Sequence, residues 1–77
     1  MKDDEFDKKD FLKKLAKHIG KVRRSKGYSQ DKVCLEGGLS RGTLSKIESN
    51  LVEPKICTLA VIADTLGIPL SKLVNID

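Results

Sequence analysis

The stretch Ser29–Asn50, SQDKVCLEGGLSRGTLSKIESN, sets a glycine pair between two short runs of helical character, and the rest of the chain is organised around it. Ser29 can cap the first helix and Gln30 to Glu36 continue it, with Val33 and Cys34 as the apolar residues that point inward. Gly37-Gly38 stops it, because glycine alone enters the left-handed conformation at little cost. Leu39 follows as an apolar plug. Ser40 is placed to cap a second helix, its hydroxyl available to an orphan amide of the first turn. Leu44 and Ile47, three apart, form that helix's buried stripe. Arg41, Thr43, Ser45 and Lys46 remain on the other faces. A short helix held by its apolar side, with a polar and cationic side free, has the shape needed to enter a DNA major groove.

The rest of the chain supplies helices to hold this pair. Residues 1–9 are charge-rich and poor in apolar side chains, and read as a flexible tail; residues 10–77 form the domain. Phe6 is the exception in the tail, able to pack back on the domain or on a partner subunit. Asp7 or Asp10 can cap a first helix, in which Leu12, Leu15, Ile19 and Val22 keep helical spacing and Ala16 lies beside them. Lys13, Lys14, Lys17 and Lys21 cover its outside, and Gly27 ends it. After the loop containing Pro54, a fourth helix has Ile56, Leu59, Ile62, Ala63 and Leu66 as its inner face, with Cys57 off that stripe and partly exposed. Gly67 stops it, and Ile68-Pro69 leads to a short fifth helix with Leu73 inward. The spacing predicts helices at about 10–26, 29–37, 40–49, 56–66 and 70–75, with no strand signal and no internal repeat.

Charge and composition narrow the function. The formal charge is +4, but residues 1–10 carry a net −2 and residues 11–77 a net +6, so the folded part suits a polyanionic partner. The two cysteines stand 23 positions apart without a CxxC pair, and with a single histidine no zinc-ligand arrangement arises. Free thiols in a reducing cytosol are the expected reading, with a single disulfide as the alternative, and together with the lack of a membrane span or secretion signal they point to the cytoplasm. No paired carboxylate, metal cluster, nucleophile–base set or phosphate loop supports an enzyme, and no cofactor or metal is expected.

From Gly27 through Ser29-Gln30, the glycine turn, Leu39-Ser40, Leu44, Ile47-Glu48, Pro54, the Thr58-Leu59 and Ile62-Ala63 pairs, to Leu66-Gly67, the sequence resembles the Cro/C1-type (XRE-like) helix-turn-helix DNA-binding domains. The resemblance covers about residues 12 to 74 and rests on the joint spacing of five elements. It implies an all-α, compact five-helix lambda-repressor-like domain. It also implies sequence-specific binding of a double-stranded DNA operator, an inverted repeat, by a homodimeric transcriptional regulator acting as a repressor, with recognition helix 40–49 in the major groove. The alternative is a protein-interaction module, such as an antitoxin or adaptor, built on the same fold.

On this reading Arg41, Thr43, Ser45 and Lys46 are the base contacts. Arg41 leads, since arginine binds guanine O6 and N7 through two hydrogen bonds. Gly42 departs from the pattern, because relatives often carry a base-contacting side chain there, and glycine in a helix costs about 1 kcal/mol against alanine. The expected phosphate contacts are Gln30, Ser40, Ser49, Asn50 and Arg24. The resemblance assigns the phosphate grip to Gln30 and a second clamp to the amides of Ser49 and Asn50. Arg23 and Arg24 complement the dipole of the first helix. The resemblance adds a structural ion pair between Arg23 and Glu48, and it makes Cys34 a small packing residue where relatives have alanine. Operator-binding relatives dimerise, and Leu70, Val74 and Ile76, with Leu51 and Val52, are the apolar residues from which this chain could build that surface. His18 stands alone, with no group near it in sequence to make a catalytic or ligand set.

Overall fold

The computed structural model describes residues 6–76 and contains five helices, α1 Lys8–Ser25, α2 Gln30–Gly37, α3 Thr43–Glu48, α4 Ile56–Leu66 and α5 Leu70–Leu73. No strand occurs among the described residues. α1 starts at Lys8, two residues before the expected Asp10, because the side chain of Asp7 accepts the amide of Asp10 at 3.1 Å and caps the helix. The remainder of the expected tail, residues 1–5, lies outside the described residues. Phe6 is exposed and sets its ring 5.4 Å from that of Phe11, which packs on the core.

The core is one cluster drawn from every helix. Leu15 and Ile19 of α1, Val33 and Cys34 of α2, Leu44 and Ile47 of α3, Leu59, Ile62, Ala63 and Leu66 of α4, and Leu73 of α5 are all buried. α4 packs on α2 and α5, while α3 packs on α1 and α2. Ile56 does not join its expected stripe and is 63 % exposed. Steps of three along a helix fall 60° short of a full turn, so from Ile62 through Leu59 to Ile56 the side chain rotates progressively out of the core. The fifth helix closes at Leu73 rather than 75, where the Val74 amide donates to the Leu70 carbonyl.

The glycine pair has two separate tasks. Gly38 caps α2 in the left-handed region, φ 69°, and the amide of Leu39 turns back to the Cys34 carbonyl at 2.8 Å. Gly37 is still helical, and its lack of a side chain lets α2 approach α4. A Cβ there would stand 2.9 Å from Thr65 Oγ1 and 3.0 Å from Val61 Cγ1. Val61 is stiff at χ1, and the Thr65 hydroxyl is engaged with the Val61 carbonyl. Gly37→Ala is therefore expected to lower stability by about 1–3 kcal/mol, as overpacking does. Urea unfolding followed by circular dichroism checks this, and a gain in stability would rule the close approach out.

The expected recognition helix, α3, is shorter than predicted. It spans Thr43–Glu48 instead of starting at Ser40, because Gly42 lies at φ 87° and is its N-cap. Ser40 does not cap the helix; its carbonyl accepts the Thr43 amide at 3.1 Å in the turn before it. The predicted cost of Gly42 as a helix-interior residue is thereby reversed. In the left-handed region a Cβ is strained, so Gly42→Ala should destabilise by about 1–2 kcal/mol rather than stabilise. A melting midpoint that rose in this variant would contradict the cap geometry.

Candidate nucleic-acid interface

One carboxylate organises the site. Glu48, the last residue of α3, receives Arg23 Nε on Oε2 at 2.7 Å and Arg23 Nη2 on Oε1 at 3.0 Å. Gln30 Nε2 donates to the same Oε1 at 3.0 Å, and Arg23 Nη1 donates to the Tyr28 carbonyl at 2.8 Å. The two charged side chains are only 10 % and 9 % exposed, so the fork is desolvated on both sides. The Glu48 hydrogen bonds hold the Arg23 guanidinium pKa above its ordinary value, against the opposing effect of burial. The end of α1, the loop to α2, the start of α2 and the end of α3 are thus joined through one group. The orientation of the recognition helix follows from this junction.

Gly20 makes room for it. A Cβ on Gly20 would lie 3.1 Å from both Glu48 Oε1 and Arg24 Nη1, so the carboxylate sits directly over the bare backbone of α1. Sequence reasoning passed over this glycine, although an isolated glycine inside a helical pattern is a signal for close approach. Arg24, an exposed residue, sets its guanidinium against the same spot.

On α3 the division of faces is complete. Leu44 and Ile47 are buried, Thr43 is half-buried, and Ser45 and Lys46 are exposed. Arg41 is exposed in the turn ahead of the helix, not in its first helical turn as expected. It borders an open hollow of about 380 Å³ that Asp31, Cys34, Leu35 and Leu39 also line. At the other end of the motif the backbone amides of Ser49 and Asn50 are spent internally. They donate to the carbonyls of Ser45 at 3.0 Å and Ile47 at 3.1 Å, so any phosphate contact by these residues has to come from their exposed side chains. Asn50 holds the left-handed conformation expected of it, φ 59°. Gln30 places its amide nitrogen on Glu48, while Ser29 caps α2 through a bond from the Lys32 amide at 3.0 Å. The first-turn amides of Gln30 and Asp31 are left without an intrahelical acceptor, as at any helix start. Lys32 adds a cation 4.6 Å above the Tyr28 ring.

Leu70, Val74 and Ile76 are half-buried against the chain's own core, whereas Leu51 and Val52 are exposed, at 73 % and 44 %. Both cysteines are free, Cys34 buried and Cys57 exposed. No group of three or more metal-ligating side chains occurs among the described residues, and no described helix is long and apolar enough to cross a membrane.

Two short helices joined at a left-handed glycine, the second with its apolar side buried and a cationic side exposed, define a helix-turn-helix DNA-binding domain. Residues 19–73 match the helix-turn-helix family HTH_3. The chain belongs to that family, the Cro/C1-type (XRE-like) class of transcription regulators. It is 32 % identical over 66 residues, 86 % of each chain, to an uncharacterized HTH-type transcriptional regulator of Sinorhizobium fredii. A hypothetical transcription factor from Neisseria has a similar structure, with a TM-score of 0.78, 26 % identity, and coverage of 90 % of this chain and 79 % of that one. An HTH_3 family transcriptional regulator from Vibrio cholerae superposes with a TM-score of 0.76 and 31 % identity, over 83 % of this chain but 36 % of its own. These relatives are transcription regulators, not enzymes.

Proposed function

We propose that this chain binds an operator in duplex DNA as a homodimer and acts as a cytoplasmic repressor of transcription. The observation that carries the reading is α3 itself. Its apolar side is locked by Leu44, Ile47 and the Glu48 junction, while Ser45 and Lys46 face outward and Arg41 stands at its mouth. In this reading α3 enters the major groove, and Arg41, Thr43, Ser45 and Lys46 meet base edges. Gln30, Ser40, Ser49, Asn50 and Arg24 fix the register on phosphates. A six-residue helix with a glycine at its N-cap offers few side chains to the bases. Part of the selectivity is therefore assigned to DNA shape and deformability. The helical body that begins at Lys8 is the DNA-binding unit, and two copies present their recognition helices to successive grooves about 34 Å apart. The two-fold contact is assigned to the edge formed by Leu70, Val74 and Ile76, which pack on the chain's own core and stay partly accessible.

Selection from a random duplex library at moderate salt, with sequencing of the bound pool, tests this. The expected result is an enriched inverted repeat with half-sites about one helical turn apart. A pool retained only at low salt and without enrichment would mean phosphate attraction alone, and would favour the same fold serving a protein partner as an antitoxin or adaptor.

A further inference from the structure

On α1, the residues that face Glu48 and those of a second feature lie on roughly opposite sides. At 100° per residue, Gly20 and Arg23 point one way and His18, Val22 and Ser25 the other. The latter, with Lys26, form one wall of an open hollow of about 340 Å³, and Ile68, Lys72 and Asn75 form the other. Among the described residues, no acidic side chain lines it. Lys26 and Lys72 are exposed, and among the described residues neither has an ion-pair partner. Val22 and Ile68 are half-buried on the core and supply an apolar floor.

The walls are fixed and their donors can be counted. His18 Nε2 lies 3.0 Å from the Lys72 carbonyl; a carbonyl only accepts, so Nε2 carries a proton and ties α5 to α1. The Ser25 hydroxyl donates to the Val22 carbonyl at 2.7 Å, which spends its proton. The donors left for a ligand are the two ammonium groups and the Asn75 amide. A hollow of this size has room for a small molecule, its apolar floor can take an apolar body, and the two cationic side chains on its walls select the sign of the ligand.

We propose that this hollow binds a small organic anion, its charged head reached by Lys26 and Lys72 and its short apolar body laid on Val22 and Ile68. The site is separate from the DNA-binding face and does not depend on that reading.

Amide-resolved NMR titration of the full chain tests it, with hexanoate and hexyl phosphate as probes and inorganic phosphate as the bare-anion control. At least one of the two probes should saturably shift the amides of Ser25, Lys26, Ile68 and Asn75. Its Kd should lie about tenfold or more below that of inorganic phosphate, and comparing hexanoate with hexyl phosphate tells which head is preferred. The K26Q/K72Q double variant should raise that Kd about tenfold or more, with helicity unchanged. Shifts that never saturate, an equal response to inorganic phosphate, or an unchanged Kd in the double variant would each overturn the proposal. The comparison among probes on the unaltered chain decides the matter even if the double variant fails to fold.

Discussion

Replacing Arg23 with methionine is expected to unfold much of the protein near body temperature. The substitution strands the Glu48 carboxylate, 9 % exposed, with Gln30 as its remaining donor at 3.0 Å. It also releases the Tyr28 carbonyl, which Arg23 Nη1 holds at 2.8 Å. Breaking one side of a buried ion pair costs about 3–5 kcal/mol, because the other charge stays desolvated. A chain of 77 residues has a total stability of about 4–12 kcal/mol, so that loss removes a large share of it. Removing both charges in Arg23→Met/Glu48→Leu should recover most of it, since an apolar pair of similar volume has no desolvated charge to satisfy. Urea denaturation of the two single variants and the double, read as a mutant cycle, measures the coupling. A single-variant loss below about 1 kcal/mol would show that the pair does not carry the junction. The linkage to pH has a definite sign. Arg23 has a folded-state pKa raised by Glu48, so the stability its charge contributes is present below the unfolded value and lost only as pH rises through the folded one. That window lies beyond any pH at which the domain would be studied, and raising the pH from neutral to about 10 should leave the Arg23 contribution intact.

Arg41→Ala is expected to weaken binding to the selected operator by about 1–3 kcal/mol and to relax the preference at one base pair, as loss of a two-bond guanine contact does. Lys46→Ala should likewise relax the preference at its own base pair; a Lys46 held on phosphate instead of a base edge would give a different result. Affinity would fall evenly over all sequences, and the slope of log affinity against log salt would become shallower by about one. Both side chains are exposed, and neither belongs to the core or to the Glu48 junction, so the two variants should keep the parent's melting midpoint. Fluorescence anisotropy on operator and scrambled duplexes at several salt concentrations separates the two behaviours. Unchanged affinity in both variants would remove α3 from the interface and leave a protein partner as the better reading of the fold.

The outline of this domain was legible because its punctuation is local. Gly38 and Gly67 end helices in the left-handed conformation, Ser29 and Asp7 cap them, and the apolar spacing marks the buried stripes. Each of these depends on residues within a turn or two of one another. Where local rules competed, the sequence misled. Ser40 followed by Arg41 and Gly42 has the composition of a helix start, yet the positive φ of Gly42 delays α3 to Thr43 and moves Arg41 out of the helix. Ile56 satisfies a three-residue spacing that the 3.6-residue period carries out of the core. The amides of Ser49 and Asn50 looked available for phosphate because the tightness of the last turn, which consumes them, has no residue signature beyond Asn50 itself.

The sequence by itself determined the number and type of elements and the buried stripes, since periodicity and caps are properties of the chain near each residue, and the joint spacing of its motifs carried the resemblance to the helix-turn-helix class. The resemblance implied the Arg23–Glu48 pair, but only the tertiary structure decided how the rest of the junction is built around it. The Glu48 carboxylate rests on Gly20, is forked by Arg23 and touched by Gln30, and these residues stand 28, 25 and 18 positions away from it. It likewise decided that Gly37 is the point where α2 meets α4, and that His18 ties the first helix to the last. Burial of a charge and the approach of two backbones are set by what the fold brings near a residue, and spacing along the chain carries no record of that.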